Sequence, residues 1–172
     1  MEIEWLPFDL HPEIPPEGMA LPSHVRNSFG GMSERLLEMA QDSGREMVIP
    51  EKIPSSRRAL EATEYAREQD KHAEFHQIVF RKFYGEGQDM SDWAVLYAAA
   101  EEIGLNPGEM QAHTESGIYK PVVDKIHAEA VALGITGVPA YIFDNRYAIV
   151  GAQPYDVFQK LMARLSVEVH AD

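Results

Sequence analysis

The sequence predicts an α/β domain assembled from its two ends, with a block of helices inserted between them. Three observations carry that expectation. Strand-like runs occur only near the termini, whereas apolar residues between them recur at helical spacing. The helical runs open on Ser, Asp or Asn and close on glycine, as capped helices do. At 172 residues and 45% hydrophobic content, the chain can build one domain with a real core, or a small domain carrying an insertion.

The elements follow in order. From Glu2 to Leu10, Ile3 and Trp5 alternate before Leu6-Pro7-Phe8, which predicts a strand with an irregular exit. Pro12, Pro15, Pro16 and Pro22 then forbid regular helix and predict an extended connector. With Ser33 as N-cap, Leu36, Leu37, Met39 and Ala40 predict a short helix that stops by Gly44. Ser55 or Ser56 caps the next, through Ala59, Leu60, Thr63 and Ala66. Phe75, Ile78, Val79 and Phe83 share one side of a following helix, and Ser91 or Asp92 opens another through Leu96, Ala99, Ala100 and Ile103 to Gly104. Asn106, Pro107 and Glu109 supply cap, first-turn proline and capping-box acid in that order. A last run, Val122, Val123, Ile126, Ala130 and Leu133, ends at Gly134.

The stretch from Gly134 to Pro154 is the most informative. Gly134 suits the left-handed position that closes a helix. Tyr141, Ile142 and Phe143 predict a strand, Asp144-Asn145 a turn, and Tyr147 to Val150 the returning strand of a hairpin. Pro139 cannot donate to a sheet ladder, so it belongs at a strand entry or edge, either as an ordinary strand-entry proline or in a cis functional loop. Pro154 then suits the start of a final helix whose Val157, Phe158, Leu161, Met162 and Leu165 form one apolar face.

Charge and composition exclude several classes of function. A net charge of -13 opposes a nucleic-acid or anionic-membrane surface, because phosphates are bound by clustered Lys and Arg and the fifteen basic residues here are scattered. No apolar run approaches the ~20 residues that span a bilayer, and the start Met1-Glu2-Ile3-Glu4 has the wrong charge for a signal peptide, so a soluble cytoplasmic protein is expected. The chain contains no cysteine, which excludes a disulfide framework, a thiolate metal site and a cysteine nucleophile within it. His72 and His76 stand four apart on a predicted helix, a spacing that two metal-binding imidazoles share with a solvated helix face; no third ligand stands at a telling spacing, and no metal or cofactor is expected. Trp93, Tyr97 and Tyr119 read as core aromatics or as a groove lining.

Trp5-Leu6-Pro7-Phe8-Asp9-Leu10-His11-Pro12 near the start, Ala59 and Ala66 in a middle helix, Phe75-His76 beyond it, and GITGVPAYIF with IVGAQP at the end together resemble the DsbA-like thioredoxin superfamily, its FrnE-type branch in particular. The resemblance spans essentially the whole chain, and the GVPAY and GAQP pair is its most specific part. It implies a discontinuous thioredoxin-like domain from residues 1–30 and 116–172, with a helical insertion over 31–115. It also implies that Val138-Pro139 is a cis-proline loop, with Gly137, Val138, Pro139 and Ala140 binding substrate backbone. Trp5, Phe8, His11 and Gln153 are expected to line a neighbouring groove.

Members of that superfamily begin with a strand, a CxxC or serine-bearing turn and a helix; relative to them this sequence starts one unit late. The expectation is therefore a thiol–disulfide oxidoreductase relative without redox activity of its own, since thiol exchange needs a thiolate. A peptide-binding module is the alternative from another class. A glutathione-dependent isomerase or transferase, such as 2-hydroxychromene-2-carboxylate isomerase or the kappa class, is a third, opposed by Ala152-Gln153 where that branch carries Ser-Asp. A protein or peptide substrate at the loop is the expected partner. A homodimer pairing through the Glu2 to Phe8 strand, or a borrowed partner strand, is expected to fill the sheet, with Glu46 to Ile49 as an internal substitute.

Overall fold

Alanines govern how the first helices meet. Between Arg57 and Glu68 (α2), the buried face is Ala59, Ala62, Tyr65 and Ala66, so neighbouring backbones can approach closely around one large ring. Phe75 and Val79 of His72–Phe80 (α3), Leu96, Ala99 and Ala100 of Trp93–Glu102 (α4), and Met110 of Pro107–Glu115 (α5) close a core on that face together with Tyr119. In this computed structural model, which describes residues 3–20, 34–50 and 52–169, the chain forms two units, residues 1–127 and 128–172. The helix Lys120–Ala132 (α6) runs across the boundary.

The predicted caps are largely where the sequence puts them. Asp92 caps α4 by accepting from the Ala94 amide at 2.9 Å, and Asn106 caps α5 by accepting from Gly108 and Glu109 at 3.0 and 3.2 Å. Ser56 precedes α2, but its hydroxyl donates to Asp9 Oδ1 at 2.9 Å instead of capping. A helix over 34–42 (α1) matches the predicted Leu36 to Ala40 element, while its expected cap, Ser33, lies outside the described residues. After α3 the chain makes a π turn over Arg81–Gly85, and this wider turn carries Phe83 into the interior together with Lys82, whose ammonium meets Glu102 at 2.8 Å.

The strand predicted over Glu2–Leu10 does not form among residues 3–10. A strand exists only against a partner ladder, and this segment's contacts are to side chains: the Trp5 carbonyl accepts from Arg67 at 2.5 Å, and buried Asp9 takes Ser56. Residues 3–8, part of the segment expected to pair in a homodimer, are not a strand in the single chain. Nor are residues 46–49 a strand; the Val48 amide donates to the Tyr84 carbonyl at 2.6 Å. A short antiparallel pair joins Met19–Ala20 (β1), in the stretch read as an extended connector, to Lys52–Ile53 (β2), where the sequence predicts no element. Gly18 permits it, at φ +79° and with the Ile53 carbonyl oxygen only 2.9 Å from where a Cβ would stand.

In the second unit Gly134 (φ +76°) closes α6: the Ile135 amide reaches back to the Ala130 carbonyl at 3.0 Å and the Gly134 amide to Val131 at 2.9 Å. Ala140–Phe143 (β3) and Tyr147–Val150 (β4) form the predicted hairpin, with Phe143 opposite Tyr147 and Ala140 opposite Val150. Asp144 and Asn145 both take positive φ in its turn. Tyr141 and Phe143 point to Phe158 of the helix Tyr155–Val169 (α7), with ring centroids 5.0 and 6.4 Å apart.

Candidate functional site

The loop Gly137 to Ala140 leads directly into β3. The Val138–Pro139 peptide bond is cis, and the Pro139 carbonyl accepts from the Gly151 amide at 2.7 Å. That bond fixes the phase of the hairpin. Residues 139 and 151 face each other as a hydrogen-bonded pair, so 141 with 149 and 143 with 147 are hydrogen-bonded pairs as well. The amides and carbonyls of Ala140 and Ile142 therefore point away from β4. Among the described residues β3 pairs with β4 alone, so these groups form an open ladder edge. Apolar surface accompanies the edge, since Val138, Ile142 and Val150 are all exposed. Gln153, predicted to line the groove, donates its side-chain amide to the Val150 carbonyl at 3.0 Å and so steadies the end of the hairpin.

The other three groove residues lie in the first unit, where they take separate neighbours. Trp5 packs on the His76 ring, centroids 4.7 Å apart. Phe8 stacks on His127 at 5.2 Å. His11 is exposed, its Nδ1 3.0 Å from a Glu13 carboxylate oxygen.

What sequence reasoning missed is the charge network behind them. Arg57 reaches Glu61 at 2.5 Å and Asp124 at 2.6 Å, lies 3.8 Å from Asp9, and donates to the Lys120 carbonyl at 3.1 Å. It ties the Asp9 segment, α2 and α6 together. Sequence offered one signal, the Arg57–Glu61 spacing of four on a helix; the link to Asp9 spans too much chain to be read from spacing.

His72 and His76 stack at 6.1 Å, and the row continues through Phe80 and Tyr84 along α3 and the π turn, at 4.3 and 5.5 Å. Partial burial, reinforced by the neighbouring His72, pushes His76 below the ordinary histidine range, and burial with Arg67 nearby lowers His72. Both shifts favour the neutral imidazole, and the His72 Nε2 lies 2.8 Å from the Arg67 guanidinium. Among the described residues no cluster of three or more His, Cys, Asp or Glu side chains could hold a metal ion. No helix among them is long and apolar enough to cross a membrane.

Tyr119 and Trp93 join core and helix packing. Buried Tyr119 donates to Glu68 at 2.7 Å; burial and that carboxylate push its ionisation far above the ordinary tyrosine range. Trp93 packs beside Tyr97 at 5.9 Å and beneath the Arg58 guanidinium at 4.9 Å.

Comparison with known proteins agrees with this architecture. The model of the DSBA-like thioredoxin domain matches residues 1–163. The YwbO protein of Bacillus subtilis (strain 168) is 30% identical over 167 residues, covering 95% of this chain and 82% of that protein. A crystal structure of a probable DsbA oxidoreductase from Streptomyces coelicolor superposes with a TM-score of 0.81 at 22% identity, over 91% of this chain and 72% of that one. A 2-hydroxychromene-2-carboxylate isomerase structure superposes with a TM-score of 0.75 at 20% identity, over 87% and 74% of the two chains. With a thioredoxin-like DsbA fold and a family match that runs over residues 1–163, the chain belongs to the DSBA-like thioredoxin domain family.

Proposed function

We propose that these residues form the substrate-receiving side of a thiol–disulfide oxidoreductase-type protein, and that they bind an extended protein or peptide segment without performing thiol exchange themselves. The open edge of β3 at Ala140 and Ile142, beside exposed Val138, carries the proposal. An extended chain laid along that edge would meet the backbone groups that point away from β4, and Gly137 to Ala140 would lie at its end. Exchange by these residues is ruled out on chemical grounds. The mixed disulfide requires an attacking thiolate, and none of the 172 residues is a cysteine.

The test has two arms. A fluorescent extended peptide with alkylated cysteines should bind saturably, and the same peptide N-methylated at alternate amides, unable to complete a ladder, should lose most of that affinity. In parallel, this chain, verified by mass, should leave insulin disulfides at the rate of an enzyme-free control. Equal binding of both peptides, or turnover above the control, would overturn the proposal.

A glutathione-dependent isomerase reading has likeness of fold behind it. The Gln153 amide, where that branch carries an acid, is engaged with the Val150 carbonyl.

A further inference from the structure

A cavity of about 210 Å³ opens in the first unit beside the start of α2, among the beginning of α4, the end of α5 and Pro16. Two of its lining residues each bury a polar group that has no hydrogen-bond partner among the described residues: the Trp93 indole N–H and the Thr114 hydroxyl. The second is the more telling. A helical threonine usually donates to the carbonyl four residues back, as Thr63 does here to Ala59 at 2.7 Å. Thr114, only 5% exposed, makes no such bond to Met110. A buried hydroxyl held off its default partner calls for another one.

The charges around the cavity narrow what that partner is. Arg57 and Glu61 line it and pair with each other, and Arg57 is further shared with Asp124 and Asp9. Arg58 has no carboxylate partner among the described residues; it donates to the Ser91 carbonyl and lies over the Trp93 ring. Glu115 meets no cation there; one of its oxygens accepts from the Gln111 amide at 2.7 Å. One unpaired cation and one unpaired anion thus face a single cavity without bridging. Its volume falls below the ~300 Å³ at which sites for drug-sized ligands and cofactors begin. We propose that this cavity binds a small zwitterion of the α-amino-acid class, its carboxylate on Arg58, Trp93 and Thr114 and its ammonium on Glu115. Trp93 N–H can only donate, so it faces the carboxylate end. Arg58 supplies a planar fork suited to the same group.

The chain has two tryptophans, Trp5 and Trp93, so its indole N–H spectrum holds two signals and reports the site directly. L-Alanine titrated into the protein should move the Trp93 signal saturably and leave Trp5 in place. Acetate or methylamine alone, each half of the ligand, should bind at least about tenfold more weakly. Thr114→Val keeps the shape and removes the hydroxyl; it should weaken L-alanine binding by about tenfold, with Thr114→Ser restoring it. Arg58→Met should weaken it further, and amide dispersion checks that each variant is folded. A motionless Trp93 signal, acetate binding as well as L-alanine, or unchanged affinity in a folded Thr114→Val protein would each overturn the proposal.

Discussion

Arg57 concentrates the charge chemistry of the first unit in one side chain. Its partners Asp9 and Glu61 are buried, so removing the guanidinium leaves two carboxylates without the cation that offsets their desolvation. Arg57→Met should therefore cost about 3 kcal/mol, read as a lower urea midpoint at pH 7, whereas Arg81→Met, which removes an exposed pair with Glu102, should cost under about 1 kcal/mol. Tyr119 makes a pH prediction of definite sign. Its folded-state ionisation lies above the unfolded value, so its contribution is fully present below about pH 10 and lost as the pH rises above that. Urea midpoints at pH 8 and pH 11 should fall less in Tyr119→Phe than in the parent. His76 acts in the opposite direction. Burial, reinforced by His72, favours its neutral form, so its contribution is present above about pH 6.5 and declines as the pH falls below that; its imidazole proton shifts should titrate below the ordinary histidine midpoint. At this scale the sequence discloses identities better than roles. Asp92 and Asn106 cap as spacing predicts, because a cap is a local bond. Ser56 bonds Asp9, forty-seven positions away, and no local pattern announces that.

The secondary elements were legible wherever their cause was local. Apolar periodicity marks α2 to α4, α6 and α7, the run Asn106, Pro107 and Glu109 marks the start of α5, and the Asp144-Asn145 turn marks the hairpin, because each depends on residues within a few positions. The predicted strand at Glu2–Leu10 failed for the complementary reason: alternating apolar residues supply a face, but a strand also needs a partner, and this segment meets Arg67 and Ser56 side chains instead. β1 and β2 were invisible because two residues a side carry no periodicity, and their pairing depends on close approach at Gly18. The π turn had no sequence signal; it shows in the wide bonds from the Glu86 amide to the Arg81 carbonyl at 3.0 Å and from the Gln88 amide to the Lys82 carbonyl at 2.8 Å. Gly134 tests the element logic. With a left-handed φ and nothing within 4 Å of a Cβ, Gly134→Ala should lose about 1 to 2 kcal/mol through backbone strain alone, measured by thermal or urea unfolding.

For the whole molecule, membership of the DSBA-like thioredoxin family and the absence of cysteine define the functional question together. The family's architecture was readable because its most specific residues, Gly137 to Tyr141 and Gly151 to Pro154, lie in one contiguous stretch. Of the residues expected to line a groove, Gln153 bonds the Val150 carbonyl, while Trp5, Phe8 and His11 meet His76, His127 and Glu13, contacts that depend on chain brought together from a distance or on a single nearby carboxylate and carry no periodic signal. An open β3 edge also bears on assembly. We propose that a second copy occupies it when no peptide is present, so sedimentation should show a dimer growing in at micromolar concentration, and Ile142→Lys should suppress it. A uniform monomer would contradict that.

The open edge of β3 is where the proposed peptide would bind. Amide hydrogen exchange resolved at single residues, with and without saturating extended peptide, tests it directly. Exchange at Ala140 and Ile142, whose N–H groups point away from β4, should slow markedly on binding, while Tyr141 and Phe143, already bonded to β4, should change little. Peptide binding that leaves Ala140 and Ile142 exchanging at their free rates would contradict it.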